Sequence, residues 1–110
     1  MRAGELTRRL QFRRAPLVDD GLQAAIGAFA DLGSPVWGAR ADMSDGEKLT
    51  SGQSLGTLIS RFRIRASTFS RGVTVKDRFS CDGKDWAILG IKESEGRVAL
   101  ELTALARVDQ

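Results

Sequence analysis

The sequence of 110 residues contains no histidine and a single cysteine, Cys81. Histidine is the commonest general base and metal ligand in proteins, so its absence removes the most frequent route to acid–base catalysis. One cysteine without histidine makes neither an internal disulfide, a zinc cluster nor a cysteine–histidine catalytic pair. We therefore expect a non-enzymatic protein with no catalytic residues, no metal site and no cofactor, which folds in a reducing cytosol.

Long apolar runs and tyrosine are absent as well. No stretch approaches the roughly 20 apolar residues that a membrane helix needs. Arginines interrupt the N-terminus from position 2, where a signal peptide would carry its apolar segment. We therefore expect no membrane contact. The two tryptophans and five phenylalanines fall mostly on predicted core faces, which leaves few rings to stack on nucleotide bases.

Residues 58–66 show the clearest pattern, an alternation of apolar and basic side chains. On an extended strand, one face carries Leu58, Phe62, Ile64 and Ala66, and the other carries Arg61, Arg63 and Arg65. A period of two is typical of a half-buried antiparallel strand. The arginines fit contact with a phosphate backbone, ion pairs with a partner's carboxylates, or a solvated face that resists aggregation.

Similar segments predict a mainly β fold of about six strands in one domain covering residues 1–110. The predicted strands are 6–14, 36–43, 57–66, 77–81, 84–92 and 97–106. Asp82-Gly83 and Ser94-Glu95-Gly96 are hairpin signals. Cys81, beside the first of these turns, is predicted to be a small core filler.

Two strands carry explicit predictions about which side chains face the core. In the strand 36–43 we expect an inward face of Trp37, Ala39, Ala41 and Met43, with Arg40 and Asp42 facing away. In the last strand we expect an inward face of Val98, Leu100, Leu102 and Ala104.

Two other segments leave alternatives open. Leu22, Ile26 and Phe29 recur at helical spacing, so residues 17–35 form either one short helix or an irregular excursion. The strand 84–92 is apolar on both faces, with Trp86, Ile88 and Gly90 opposite Ala87, Leu89 and Ile91. Such a strand is covered on both sides, here either by residues 17–35 or by a neighbouring subunit.

Taken in order, these segments resemble the phage head-tail joining family of head-tail adaptor and head-closure (stopper) proteins. The resemblance rests on residues 1–14 (MRAGELTRRLQFRR), Asp20-Gly21, Phe29, Val36-Trp37-Gly38-Ala39, Phe62-Arg63-Ile64-Arg65, residues 82–88 and residues 98–102. Each motif is short, and their order and spacing across nearly the whole chain carry the resemblance. Phe29 stands where the family often has tryptophan.

The resemblance implies a small antiparallel β-barrel with a long inserted loop, in the virion of a tailed phage or in a gene transfer agent. It implies a homo-oligomeric ring of roughly six or twelve copies between portal or adaptor proteins and tail terminator or tail tube proteins. The ring would help to close the channel that holds packaged double-stranded DNA. The protein would be made in the bacterial cytoplasm.

Two sets of site residues follow from the resemblance. Residues 44–56 form a polar segment long enough to be a functional or mobile loop. The predicted channel-gating residues within it are Asp45, Gly46, Glu47, Lys48, Leu49, Thr50, Ser51, Gly52, Gln53 and Ser54. The predicted contacts between subunits or with partner proteins are Arg8, Arg9, Arg61, Arg63 and Arg65.

Two other functions remain compatible with the sequence. One is a monomeric nucleic-acid-binding barrel of the OB or SH3-like type. The other is an enzyme subunit whose active site lies on a partner. A nucleic-acid module would bind short oligonucleotides as a monomer, whereas a connector would bind DNA weakly and with steep salt dependence.

Overall fold

The computed structural model describes residues 4, 6–19, 24–42 and 57–107. Within these residues there are nine strands and no α-helix, with a short 3₁₀ helix at Ser70–Gly72. The strands are β1 (Arg8–Arg14), β2 (Leu17–Asp19), β3 (Ala24–Ile26), β4 (Ala30–Asp31), β5 (Val36–Asp42), β6 (Thr57–Arg65), β7 (Arg78–Cys81), β8 (Lys84–Ser94) and β9 (Ala99–Arg107).

Six strands form a closed antiparallel barrel in the order β1-β5-β6-β9-β8-β7, with β7 paired back to β1. On one side of β1, β5 pairs with its first half and the short β4 with its end. The remaining strands, β2 and β3, form a two-stranded sheet of their own. The prediction of a mainly β fold built on an antiparallel barrel of about six strands is confirmed.

The alternation predicted for residues 58–66 is also confirmed. In β6, Phe62 and Ile64 are fully buried, whereas Arg61 and Arg65 are exposed. The hairpin signal between β7 and β8 is correct too, because Asp82 and Gly83 adopt φ values of 53° and 76°. Two consecutive residues with positive φ are typical of the type I′ turn that matches the twist of a two-stranded hairpin.

The short helix considered for residues 17–35 is wrong. Residues 24–26 form β3, which pairs with β2 in the register Leu17↔Ile26 and Asp19↔Ala24. A helix of under about 12 residues is marginal in water, while a hairpin satisfies the same backbone groups by pairing. Residues 20–23, between β2 and β3, lie outside the described part of the chain.

Four aromatic side chains fill the barrel. The Phe62 ring lies 4.9 Å from both Phe79 and Trp86 in edge-on contacts, and Phe12 lies 5.6 Å from Phe79. The indole nitrogen of Trp86 donates a hydrogen bond to the Cys81 carbonyl at 3.1 Å, so this buried ring has its polar group satisfied. Deleting such a ring costs about 3–5 kcal/mol in well-packed cores.

The barrel closes where β1 meets β7, and an ion pair flanks this closure at each end. In the closure, Phe12 lies opposite Phe79. Beyond one end, Arg8 contacts Asp82 at 3.2 Å; beyond the other, Arg14 holds Asp77 with two hydrogen bonds of 2.8 and 2.9 Å. The closure therefore rests on apolar contact inside and charge pairing at both ends.

The predicted facing of β5 is wrong. Trp37 is 49% exposed, and Ala39 and Ala41 share its outward side. The inward position is Gly38, where a Cβ would lie 2.9 Å from the Leu10 side chain and 3.1 Å from a backbone oxygen. The space at position 38, between Leu10 of β1 and β6, is therefore large enough only for glycine. Because side chains alternate along a strand, the neighbouring Trp37 faces outward. Met43 lies outside the described residues.

Arg40, predicted to face away from the core, follows Gly38 on the inward side. Its guanidinium lies 5.0 Å from the Trp86 ring centroid and donates to Asp82 at 2.7 Å. A cation placed over an aromatic face and paired with a carboxylate keeps favourable partners when it leaves water.

Two details of β8 and β9 also differ from the prediction. A β-bulge between Ile88 and Gly90 shifts the register, so Ile91 packs against the core and Leu89 is 52% exposed. Val98 is 53% exposed because it belongs to the turn before β9, where its N–H bonds the Glu95 carbonyl. Leu100, Leu102 and Ala104 are buried as expected.

The buried Asp77 makes the closure sensitive to acid. Burial raises the pKa of this carboxyl, but the hydrogen bonds from Arg14 and from the Thr74 backbone N–H outweigh burial and hold the pKa below its ordinary value. A folded-state pKa below the unfolded-state value means that the carboxylate stabilises the fold above the unfolded-state pKa. That contribution is lost as the pH falls through the folded-state pKa.

We expect Asp77→Asn to lower the free energy of unfolding at pH 7 by about 1–3 kcal/mol, because the charged partner of Arg14 is lost. The variant should also lose less stability than wild type between pH 7 and pH 3, as measured by urea titration. Asp31→Asn is the matched control, since Asp31 is 70% exposed and lies 3.7 Å from Arg13. Equal losses in both variants would contradict this account.

Candidate interaction surfaces

The outward side of β6 presents the three arginines that the sequence singled out. On one side of Arg61 and Arg63 lie the small residues Ala39 and Ala41 of β5. On the other side Arg63 lies opposite Glu101 of β9. The result is a shallow polar groove between β5, β6 and β9, whose walls are basic with one carboxylate.

Charges around this groove are paired within the chain. Arg63 lies 3.6 Å from Glu95 in the turn before β9, and Lys92 of β8 lies 3.3 Å from Glu101, whose side chain is only 15% exposed. The Arg63–Glu95 pair is partly exposed, and surface pairs contribute about 0–1 kcal/mol, so its partners can be exchanged at little cost. These side chains can therefore hold the barrel surface together in the free chain and still bind another protein or a phosphate.

A second surface centres on Trp37 and is defined here by Leu6, Arg9, Val36, Trp37 and Arg65. Leu6, Val36, Trp37 and Arg65 line one open apolar cleft. Arg9 lies opposite Trp37 across β1 and β5, with its guanidinium 4.5 Å from the ring centroid. The Arg65 side chain makes no hydrogen bond or ion pair with any residue that the structure describes. This Trp37 surface combines the two residue types most enriched at interface hot spots.

Arg8 is placed differently from the other predicted contact residues. It shares Asp82 with Arg40, and the two arginines approach this carboxylate from β1 and β5. Arg8 therefore stabilises the turn between β7 and β8.

A third surface lies over β7 and β8, and sequence reasoning expected a cover there. Phe29, Val75 and Ala87 line one cleft, and the Arg78 guanidinium lies 4.8 Å from the Phe29 ring centroid. The excursion between β1 and β5 thus covers part of β8 through Phe29. Val75 in this cleft is 56% exposed, and Leu89, two residues after Ala87 on β8, is 52% exposed.

The predicted channel residues Asp45 to Ser54 lie outside the described part of the chain. The strands on either side of this segment, β5 and β6, are adjacent antiparallel neighbours. Residues 43–56 therefore connect two neighbouring strands at one end of the barrel, between Asp42 and Thr57.

Within residues 4, 6–19, 24–42 and 57–107, no group of three or more acidic or cysteine side chains could hold a metal ion. No helix of that part is long and apolar enough to cross a membrane. Cys81 is buried, and burial, followed by the charge of Asp82, raises the pKa of its thiol to about 11. A thiol protonated at neutral pH and closed to solvent is a core filler, as predicted.

A family model described as phage head completion protein matches residues 1–107. The chain belongs to this family. Membership makes it a structural component of the virion and supports a non-enzymatic role. It also agrees with the resemblance to phage proteins seen in the sequence.

Two solved structures share the fold. Protein SF1141 from Shigella flexneri 2a, known from a solution structure, is 20% identical with a TM-score of 0.71, and each chain is covered in full. A chain in the virion of a native gene transfer agent particle is also 20% identical with a TM-score of 0.71, over 94% of this chain and 96% of that one. At 20% identity, this similarity shows a shared fold. No curated protein sequence matches the chain.

We expect the Cys81 thiol of the native protein to resist a maleimide reagent at neutral pH and to react at once in denaturant. The physical reason is the combination of burial and a raised pKa. Ser34→Cys provides the control, because Ser34 is exposed in the connection between β4 and β5. Fast labelling of wild type in the native state would show that the β7–β8 turn opens readily.

Proposed function

We propose that this chain, as one domain, forms a ring at the head–tail interface of a tailed phage or gene transfer agent particle. The ring joins the portal or adaptor on the head side to tail terminator or tail tube proteins and helps to close the DNA channel. Membership of the phage head completion family carries this proposal.

The filled interior of the barrel decides where such a channel could run. Phe12, Phe62, Phe79 and Trp86 are fully buried and occupy the space inside the six strands. A barrel of this strand number has room for its own side chains and none for a nucleic acid. A DNA channel would therefore lie between copies, which requires several barrels around an axis.

A ring also requires two different surfaces on each copy, because a head-to-tail contact closes by rotation. The Trp37 surface and the surface around Leu89 are both apolar at the centre and exposed. They lie on different strands, β5 for the first and β8 for the second. Such an arrangement is compatible with heterologous contacts.

We assign the channel-facing role to residues 44–56, with Asp45 to Ser54 as the gating segment. Its sequence is polar, carries Gly46 and Gly52, and has nearly balanced charge in Asp45, Glu47 and Lys48. Such a segment has little apolar surface to fix it in one arrangement, so tail docking could move it.

Among the five predicted contact arginines, Arg8, Arg9, Arg61 and Arg65 are exposed and Arg63 is half-buried, which supports the first four most directly as contacts with partners. Arg8 and Arg63 form ion pairs with Asp82 and Glu95 inside the chain. For these two, contact with a partner requires exchange of an existing carboxylate.

Deleting residues 46–54 tests the gating role. We expect particles with this variant to package DNA, to lose it before tail attachment, and to give few infectious or transducing particles. A variant that replaces residues 46–54 with a Gly/Ser segment of the same length separates chain length from side-chain chemistry. Filled heads that keep their DNA and accept tails with the deleted chain would refute the gating role.

DNA binding separates a connector from a nucleic-acid module. We expect the isolated chain to bind duplex or single-stranded DNA weakly, with affinity that falls steeply as salt rises, because only exposed arginines are available. Arg61→Ala and Arg65→Ala should each lower the salt slope by about one. Trp86 is buried, so fluorescence quenching by an oligonucleotide would report Trp37, and Trp37→Phe is its control. Tight monomeric binding with such quenching would favour the nucleic-acid module.

A further inference from the structure

We propose that the turn between β8 and β9, residues 94–98, docks into an acidic and partly apolar site on a neighbouring virion protein. This inference rests on the proposed head–tail function and specifies which part of the barrel meets a different protein. Three observations carry it: a left-handed backbone at residues with long side chains, an exposed valine, and two arginines that share one carboxylate.

The turn holds three consecutive residues in the left-handed backbone region. Glu95, Gly96 and Arg97 have φ values of 51°, 65° and 74°. Glycine adopts this region freely, whereas a Cβ makes it unfavourable for most other residues. Among the described residues other than glycine, one further positive φ occurs, at Asp82 in the type I′ turn. Glu95 and Arg97 therefore occupy positions where glycine or asparagine would hold the same turn at lower free energy.

The ion pair that Arg97 makes does not explain why an arginine stands in this strained position. Its guanidinium lies 3.1 Å from the Glu93 carboxylate, and its side chain is 81% exposed. A solvent-exposed pair of this kind contributes little to stability. Strained residues are concentrated at functional positions, where binding depends on the side chain although the fold does not. A contact outside the chain therefore explains Arg97 better than a contact within it.

A second arginine, from the connection between β6 and β7, fixes the turn in place. Arg71, in the 3₁₀ helix, donates to the Glu93 carboxylate at 2.8 Å and to the Arg97 carbonyl at 2.9 Å. The Arg97 N–H also bonds the Ser94 carbonyl across the turn at 3.1 Å. A turn held by such bonds before binding loses little conformational freedom when a partner docks.

The surface of the turn combines exposed apolar area with excess positive charge. Val98 is 53% exposed and directly follows Arg97 in the chain. Arg71 and Arg97 share Glu93, and their hydrogen bonds lower the pKa of its carboxyl, which is therefore ionised at neutral pH. Two positive charges against one negative charge leave the cluster positive. A partner that offers a carboxylate beside an apolar recess complements both features.

A different protein fits this surface better than a second copy of the chain. Each acidic side chain that the structure describes already forms an ion pair with a basic residue of its own chain. These acidic residues are Asp31, Asp77, Asp82, Asp85, Glu93, Glu95 and Glu101. The described surface of a second copy therefore offers the turn no carboxylate that lacks a partner.

Nucleic acid fits the turn less well than an acidic protein does. Both arginines already donate to Glu93, whose negative charge would repel a phosphate group. The exposed Val98 makes no favourable contact with a charged phosphate backbone.

Two substitutions separate docking from folding. Arg97→Gly removes the arginine and suits a left-handed residue, so the isolated chain should melt at a temperature equal to or above that of wild type. Val98→Ser removes exposed apolar surface and should change the melting temperature little. We expect each variant to lower the yield of tailed, DNA-filled particles at least about tenfold, because each removes a central contact of the docked turn.

The control is Lys76→Glu, which reverses an exposed charge on the connection between β6 and β7 and should leave melting temperature and yield unchanged. If Arg97→Gly and Val98→Ser lower the melting temperature together with the yield, these residues serve folding and the docking inference is wrong. Normal yields from both variants, in a particle that requires the chain, would refute the docking turn and leave the proposed function standing. Tailed, filled particles formed without the chain would refute that function and this inference with it.

Photocrosslinking identifies what occupies the turn. The chain carries Val98→p-benzoylphenylalanine and is irradiated in purified particles. We expect an adduct with a different virion protein, which mass spectrometry should map to a segment that contains aspartate or glutamate. Adducts at multiples of 11.9 kDa would show a contact between copies, and adducts with DNA would show a nucleic-acid contact. Either result would contradict the inference.

Discussion

The closure between β1 and β7 is the constraint on which the rest of the structure depends. Phe12 and Phe79 meet across it, and the Arg8–Asp82 and Arg14–Asp77 pairs flank it. Without this pairing the six barrel strands would form an open sheet with two free edges, which are templates for uncontrolled pairing between chains. Closure removes those edges, so the barrel can present side-chain surfaces to partners without aggregating through its backbone.

A filled and closed barrel places function on the outside of the molecule. The core holds its aromatic rings in fixed contacts, and Arg40 is held inside by Trp86 and Asp82. Apart from the buried Asp77, most other charged side chains lie on the outer surface, and one large ring, Trp37, remains half exposed. A packed interior with exchangeable charges on the outside suits a virion component that binds neighbouring proteins. The packed interior keeps the binding surfaces in place, while surface ion pairs within the chain can be exchanged for contacts with a partner.

The six barrel strands could be predicted from alternation alone, and so could the Asp82-Gly83 turn and the basic face of β6, whereas the short strands β2, β3 and β4 could not. Which side chains of β5 face the core could not be predicted. A large apolar residue such as Trp37 is expected in the core, and only the close approach of the Leu10 side chain to Gly38 shows that Gly38 takes the inward position. The bulge at Leu89 likewise could not be predicted, because it changes which side chains face the core within a segment whose apolar pattern looks regular. The Trp37 surface was missed for this reason, although Arg9 and Arg65 were both predicted contact residues.

The most direct test of the account is a cryo-EM reconstruction of the head–tail interface of the particle that carries this chain. The account predicts several copies arranged around the axis, each a solid barrel, with DNA passing between the copies and none inside a barrel. A single copy off the axis, or a barrel whose interior encloses nucleic acid, would contradict it.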